Sequence, residues 1–295
     1  MPSPETYFEA HTHLLPPRRL RGLIRWIKRA FPDHPVADNA SVDEIVAELR
    51  ASGADYIVNL MFPLGPGEVA DLHAFGAGLA ARVPRLLPFA GVHPQDADRV
   101  EQVVHALDVL QFVGVKIHTM VQRVDPWDAR LHPVYAELER RGRPLWLHTG
   151  FEYIYDYEFP DAHLRLLADE FPQMPIVLAH TMFPRLEQAF QLAAQCPNIL
   201  LDTTNVFSVL AHPEQYAPLQ IRARVPDLIE VLLWGLQEFV GRVVFGTDHP
   251  AGLGSAAQIR ADVDIFDISP PARRALLCDA PRALFESWAP DRMPG

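Results

Sequence analysis

Cysteine is nearly missing from this chain: 295 residues hold only Cys196 and Cys278. Two are too few for a disulfide framework, and each falls in an apolar, helix-like context that suits a reduced, buried thiol. A cytoplasmic setting is the expectation that follows. Positive charge is scarce as well, with 26 Lys and Arg against 37 Asp and Glu and a formal net charge of −11. Nucleic-acid binders carry a basic patch or a high pI, so no nucleic-acid partner is expected and small-molecule chemistry is the better fit. Long apolar runs are absent. The most apolar stretch, "LIEVLLWGL", contains Glu230 and falls far short of a span, and the opening "MPSPETYFEA" lacks a basic segment followed by an apolar one. Neither a membrane partner nor export is expected.

What the chain does have is a repeated alternation. Short β-branched runs, "TYFEAH", "ADYIVNLMF", "RLLPFAGVH", "FVGVKIH", "RPLWLH", "MPIVLAH", "NILLDTT" and "RVVFGTD", are candidate strands. Between them lie stretches with apolar residues at i, i+3, i+4 and i+7, such as "VDEIVAELRAS", "DRVEQVVHALD", "LHPVYAELERRG", "DAHLRLLADEF", "RLEQAFQLAAQ" and "PDLIEVLLWGLQEF". Strands this continuously apolar are buried on both faces, as parallel strands are. Eight β/α units in about this length predict a (β/α)8 TIM barrel. The rival, a doubly wound sheet, would carry a Gly-rich phosphate turn after an early strand, where this chain has "HTHLLPP". No low-complexity linker divides the sequence, so residues 1–295 are expected to form one domain. An insertion at about 16–40 follows the first strand, with Arg18, Arg21, Arg25, Lys28 and Arg29 between Leu20, Leu23, Ile24, Ile27 and Phe31. It reads as an amphipathic helix with a basic face, either solvated or placed to attract an anionic substrate, and a membrane-surface role is the weaker reading because the overall charge opposes it.

Active groups of such a barrel sit at the C-terminal ends of its strands. Seven of the 13 histidines fall there: His11, His13, His93, His118, His148, His180 and His249. Each alone reads as a hydrogen-bonded rim residue. Together they point to a metal site, since neutral imidazole is the commonest metal ligand and such sites need several in one place. His11 and His13, two apart in a strand, share one face.

"FEAHTH", "WLHTG", "VLAHT" and "VFGTDHP" at the first, fifth, sixth and eighth strands resemble the amidohydrolase superfamily, in its amidohydrolase-2 branch of hydrolases, lactonases and nonoxidative decarboxylases. "GVHP", "VGVKIH" and "LLCDAPRALF" extend the resemblance over nearly the whole chain. It implies that His11, His13, His148 and Asp248 ligate one divalent metal, Zn2+ first and Mn2+ second, that Asp248 accepts and returns a proton, and that His180 orients water or substrate. Lys116 either binds a substrate carboxylate, packs without a role, or is carboxylated and bridges a second metal. His118, on the same strand face, is a candidate substrate contact. Glu9 stands where the family more often has Asp, and is either a partner that fixes an imidazole tautomer or a ligand in place of His13. His249 reads as loop structure. The aromatics of "FEYIYDYEFP" either wall the pocket or form a subunit contact. The function implied is metal-dependent hydrolysis of an amide, ester or lactone in a small, anionic, carboxylated substrate; nonoxidative decarboxylation of an aromatic or unsaturated acid is the alternative. A TatD-like nuclease fits less well because it expects Glu where Lys116 stands, and a purely structural barrel would have lost its ligands. By analogy with relatives, a homodimer is the expected assembly.

Overall fold

In the computed structural model, which describes residues 5–215 and 221–293, eight strands make one sheet in the order β1-β2-β3-β4-β5-β6-β7-β8. The opening "MPSP", part of the segment read above for an export signal, lies outside the described residues. The strands are β1 (Tyr7–Thr12), β2 (Ala54–Leu60), β3 (Leu86–Gly91), β4 (Val115–Ile117), β5 (Leu145–Leu147), β6 (Ile176–Leu178), β7 (Ile199–Asp202) and β8 (Val243–Val244). Before β2 come helices α1 (Pro17–Ala30) and α2 (Val42–Ala51). Then follow α3 (Val69–Arg82), α4 (Arg99–Asp108), α5 (Thr119–Gln122), α6 (His132–Arg141), α7 (Ala162–Glu170), α8 (Leu186–Gln195), α9 (Val206–Ala211), α10 (Val225–Glu238), α11 (Ala256–Asp262), α12 (Pro270–Arg274) and α13 (Ala280–Trp288). This is the (β/α)8 barrel that the alternation predicts. Seven of the eight strands fall inside the runs that suggest them, and β1 goes one residue past its run, to Thr12.

The chain divides into two compact units, Met1–Asn59 with Thr203–Ala283 and Leu60–Asp202 with Leu284–Gly295. In the first, β1 runs parallel to β2, pairing Tyr7 with Ala54 and Phe8 with Tyr56. Helix α2 starts on a capping box in which the Ser41 hydroxyl accepts the Glu44 amide and Glu44 reaches back to the Ser41 amide. Helix α1 opens with Pro17, whose missing N–H is harmless in a first turn, and buries Leu20, Ile24 and Ile27. Cys278 departs from expectation. It is only partly buried, lying in the π-helical turn Ala275–Asp279 on the side away from the buried Leu276 and Leu277, with its thiol 3.4 Å from the Thr6 carbonyl.

In the second unit, β3 to β7 form a continuous parallel ladder with Lys116 level with Gly91 and Trp146. Helix α3, "VADLHAFGAGLAAR", is not among the segments that apolar spacing singles out. Its Ala and Gly content blurs the pattern, and Gly76 is small for a reason: a Cβ there would come 2.2 Å from the Met61 methyl and 3.1 Å from the Phe112 ring. His73 on the same helix is buried, donates from Nε2 to the Gly91 carbonyl at 3.1 Å and meets the Phe112 ring edge-on. Burial pushes its pKa down to about 4. The unfolded chain therefore binds this proton more readily, so stability is lost as pH falls through the range from about 6.5 toward 4. Denaturant titrations of wild type should lose about 2 kcal/mol between roughly pH 6.5 and pH 5 from this group, a loss that His73→Gln should not show.

Candidate metal centre and the histidine cluster of strands 4 to 6

Strand β1 brings His11 and His13 to one face, and the turn after β8 brings Asp248 to them. His13 lies just past the strand and donates its amide to the His249 carbonyl at 2.9 Å, while the Asp248 amide donates to the His11 carbonyl at 2.8 Å. Thr12 bridges to His249 between them. These backbone bonds fix the side chains. His11 Nε2 and His13 Nε2 are 3.3 Å apart, and Asp248 Oδ1 lies 3.4 Å from the first and 3.1 Å from the second. All three residues are buried. Ligands about 2.0–2.1 Å from a tetrahedral Zn2+ sit about 3.3 Å from one another, so the triangle has the dimensions of a metal face. Two imidazole nitrogens and a carboxylate oxygen also suit Zn2+ or another borderline divalent ion.

The support around the triangle is specific. Asn205 donates from Nδ2 to Asp248 Oδ2 at 2.8 Å and accepts the Leu253 amide, fixing the carboxyl plane. Asp248 and Asn205 both adopt left-handed backbone conformations, with φ of 61° and 64°. Strain of this kind concentrates at functional sites. Glu9 is fully buried below the site, where its Oε1 accepts the amides of His11 and Thr247 at 3.0 and 2.9 Å and its Oε2 accepts the Tyr7 hydroxyl at 3.3 Å. Burial raises its pKa to about 8 against the pull of those hydrogen bonds. The carboxyl thus ties the backbone of β1 to that after β8, and these bonds go to amides and a phenol instead of an imidazole. His249 is fully buried and meets Glu48 of α2 at 3.2 Å, which pins the loop after Asp248.

In the second unit, the histidines that follow β4, β5 and β6 form a cluster of their own. His118 stacks face to face on His148 with ring centroids 3.7 Å apart, and His180 Nε2 is 3.3 Å from His148 Nδ1. Phe62 and Tyr155 pack on His118, Tyr155 also meets His148, and Phe151 meets His180 edge-on. Tyr155 and Phe151 come from "FEYIYDYEFP", which here lines the histidines, while Tyr153 is half exposed. The backbone holding His180 is left-handed at three successive positions, His180, Thr181 and Met182. Thr181 steadies it by donating to the Asp202 carbonyl at 3.0 Å, and Glu152 joins the two loops by accepting both Arg185 at 2.6 Å and the Gly150 amide at 3.1 Å. Lys116 is fully buried in β4.

The sequence profile of the amidohydrolase family matches residues 8–286. The chain belongs to the amidohydrolase family. One curated relative, the protein fluG of Emericella nidulans, is 33% identical over 82 residues, 27% of this chain and 10% of that protein. The match thus spans about a tenth of that relative's length. Among solved structures, a 2,6-dihydroxybenzoate decarboxylase complexed with 2,6-dihydroxybenzoate is similar at a TM-score of 0.69 and 17% identity, covering 96% of this chain and 99% of that one. A Pseudomonas putida protein assigned as a 2-pyrone-4,6-dicarboxylic acid hydrolase gives 0.64 and 19%, covering 95% and 97%. A 5-carboxyvanillate decarboxylase of Novosphingobium aromaticivorans complexed with manganese and a nitrobenzoic acid gives 0.66 and 15%, covering 97% of each. At these identities the likeness is one of fold. Among the described residues, no helix of this amidohydrolase is long and apolar enough to cross a membrane.

Asn205 is the residue that sequence reasoning missed. It sits in "DTTNVF" after β7, and its only signal is a polar run at the end of a barrel strand. Outer hydrogen bonds to metal-ligating carboxylates typically set affinity by 10–100-fold. Asn205→Ala should therefore weaken metal retention by about tenfold or more, read by competition with a chromogenic chelator, with the circular dichroism spectrum unchanged.

Proposed function

We propose that this amidohydrolase is a metal-dependent hydrolase that opens an amide, ester or lactone bond in a small carboxylated substrate. The observation that carries the reading is the Nε2, Nε2 and Oδ1 triangle of His11, His13 and Asp248. These residues would hold one divalent ion, Zn2+ or Mn2+, and the family resemblance assigns a further ligand to His148. Such an ion lowers the pKa of water toward ~7 and polarises an acyl or carboxylate oxygen. Asp248, with Oδ2 fixed by Asn205, is the group that takes up the proton of the attacking water and returns it to the leaving group. His180 is the hydrogen-bond donor to the substrate oxygen where charge develops. Lys116 supplies a cation for a substrate carboxylate, and a second metal enters only if its amine is carboxylated. The expected partners are a small anionic substrate and neither nucleic acid nor membrane.

Nonoxidative decarboxylation is the second reading, favoured by the aromatic cluster in which His118 stacks on His148 while Phe62 and Tyr155 pack against them at steep angles, ring surface that suits an aromatic or unsaturated acid. Incubation of metal-loaded protein with pyrone dicarboxylate lactones and with hydroxybenzoates separates the two. Ring opening without CO2 supports hydrolysis, and CO2 release without net hydrolysis overturns it in favour of the lyase. Metal per chain is measured in parallel; about one ion is expected.

A further inference from the structure

Helix α1 buries Leu20, Ile24 and Ile27 and turns Arg18, Arg21, Arg25 and Arg29 to solvent. These four positions, spaced 0, 3, 7 and 11, lie within about 80° of arc and extend about 16 Å along the helix. The helix holds six basic residues and no acidic one, and without them the formal net charge would go from −11 to −17. Helix α10 is its counterpart. It buries Leu228, Leu232, Gly235 and Leu236 and exposes Asp227, Glu230, Trp234 and Glu238, which have the same 0, 3, 7, 11 spacing. Trp234 is 49% exposed. Among the described residues, none of the four arginines or three acids of these stripes makes an ion pair, whereas Arg123, Arg140, Arg165, Arg273 and Arg274 all do. Arg222 and Arg224 occupy the turn ahead of α10, outside the acidic stripe.

We propose that the exposed arginine stripe of α1 docks on the acidic, tryptophan-bearing stripe of α10 of a second copy of this chain. A two-fold assembly makes this contact twice, because each copy offers both stripes. The matched spacing lets Arg18, Arg21 and Arg29 meet Asp227, Glu230 and Glu238 one to one, and it sets Arg25 against Trp234, whose ring accepts a cation well and whose large apolar area suits the centre of an interface. The exposed ion pairs set register and partner choice, so association depends on salt. A lipid surface is the poorer occupant: the apolar side of α1 is already buried in its own chain, and the net charge of −11 opposes anionic membranes.

The test is sedimentation of the full chain at tens of micromolar. A mass near two chains is expected at about 50 mM salt, with association at least about tenfold weaker at about 500 mM. The R18E/R21E/R25E/R29E and D227R/E230R/E238R variants, each with a wild-type circular dichroism spectrum, should be monomeric alone and form a mixed dimer when combined. A wild type that stays monomeric at low salt overturns the proposal, as does a dimer indifferent to salt and to both reversals. So does a monomer that sediments with phosphatidylserine vesicles through its arginines. The salt dependence of the wild type alone decides if a reversal variant fails to fold.

Discussion

A His11→Ala/His13→Ala protein is expected to purify folded, to hold less than about a tenth of the wild-type metal, and to lose turnover by about three orders of magnitude or more. The reasoning is local. The two Nε2 atoms, 3.3 Å apart, and Asp248 Oδ1 make the triangle, so the double variant removes two of its three donors. The fold should persist because β1 is held by its backbone ladder and by Glu9, neither of which the substitution touches. Circular dichroism and inductively coupled plasma mass spectrometry on the same preparation are the paired measurements. Wild-type metal stoichiometry in a folded double variant would refute the role given to this triangle. A His180→Ala variant provides contrast: it should keep its metal and lose rate, and loss of metal as well would make His180 a ligand.

The barrel was legible because its buried parallel strands are apolar along their length, which produces the same short run eight times. The helices were legible where one face is apolar, as in α2 and α10. Helix α3 was not, since Gly76 and its alanines serve close approach to Met61 and Phe112, and that need is set by residues on other elements. At the site, two histidines one residue apart declare themselves, because alternation in a strand already puts them on one face. Asn205 does not. Its importance comes from a left-handed turn that aims its amide at Asp248, and nothing in "DTTNVF" specifies that turn. Alternation along β1 puts Glu9 on the same face as His11, yet its bond to the Thr247 amide depends on where the chain after β8 passes, more than two hundred residues later.

Gly246 shows how much of the site depends on a backbone approach with no room for a side chain. A Cβ at this position would sit 2.4 Å from the His11 Cβ, 2.7 Å from the His11 amide nitrogen and 2.7 Å from the Thr204 hydroxyl. Two of those atoms belong to the backbone or its first carbon and cannot swing aside, so relief requires β1 and the segment after β8 to separate. Separation would strain the Ala10 amide to Phe245 carbonyl bond, the Thr247 amide bond to Glu9 and the Asp248 amide bond to the His11 carbonyl. Overpacking usually costs about 1–3 kcal/mol, and rigid neighbours put this case above that range. Gly246→Val should therefore lose about 4 kcal/mol in urea unfolding and lower the melting temperature by about 10 °C. Metal retention should fall with it, even though every proposed ligand is present, because His11 moves away from Asp248. A Gly246→Val protein with wild-type stability and full metal content would mean that the triangle tolerates this displacement, and that the close approach of these two segments is not what sets its dimensions.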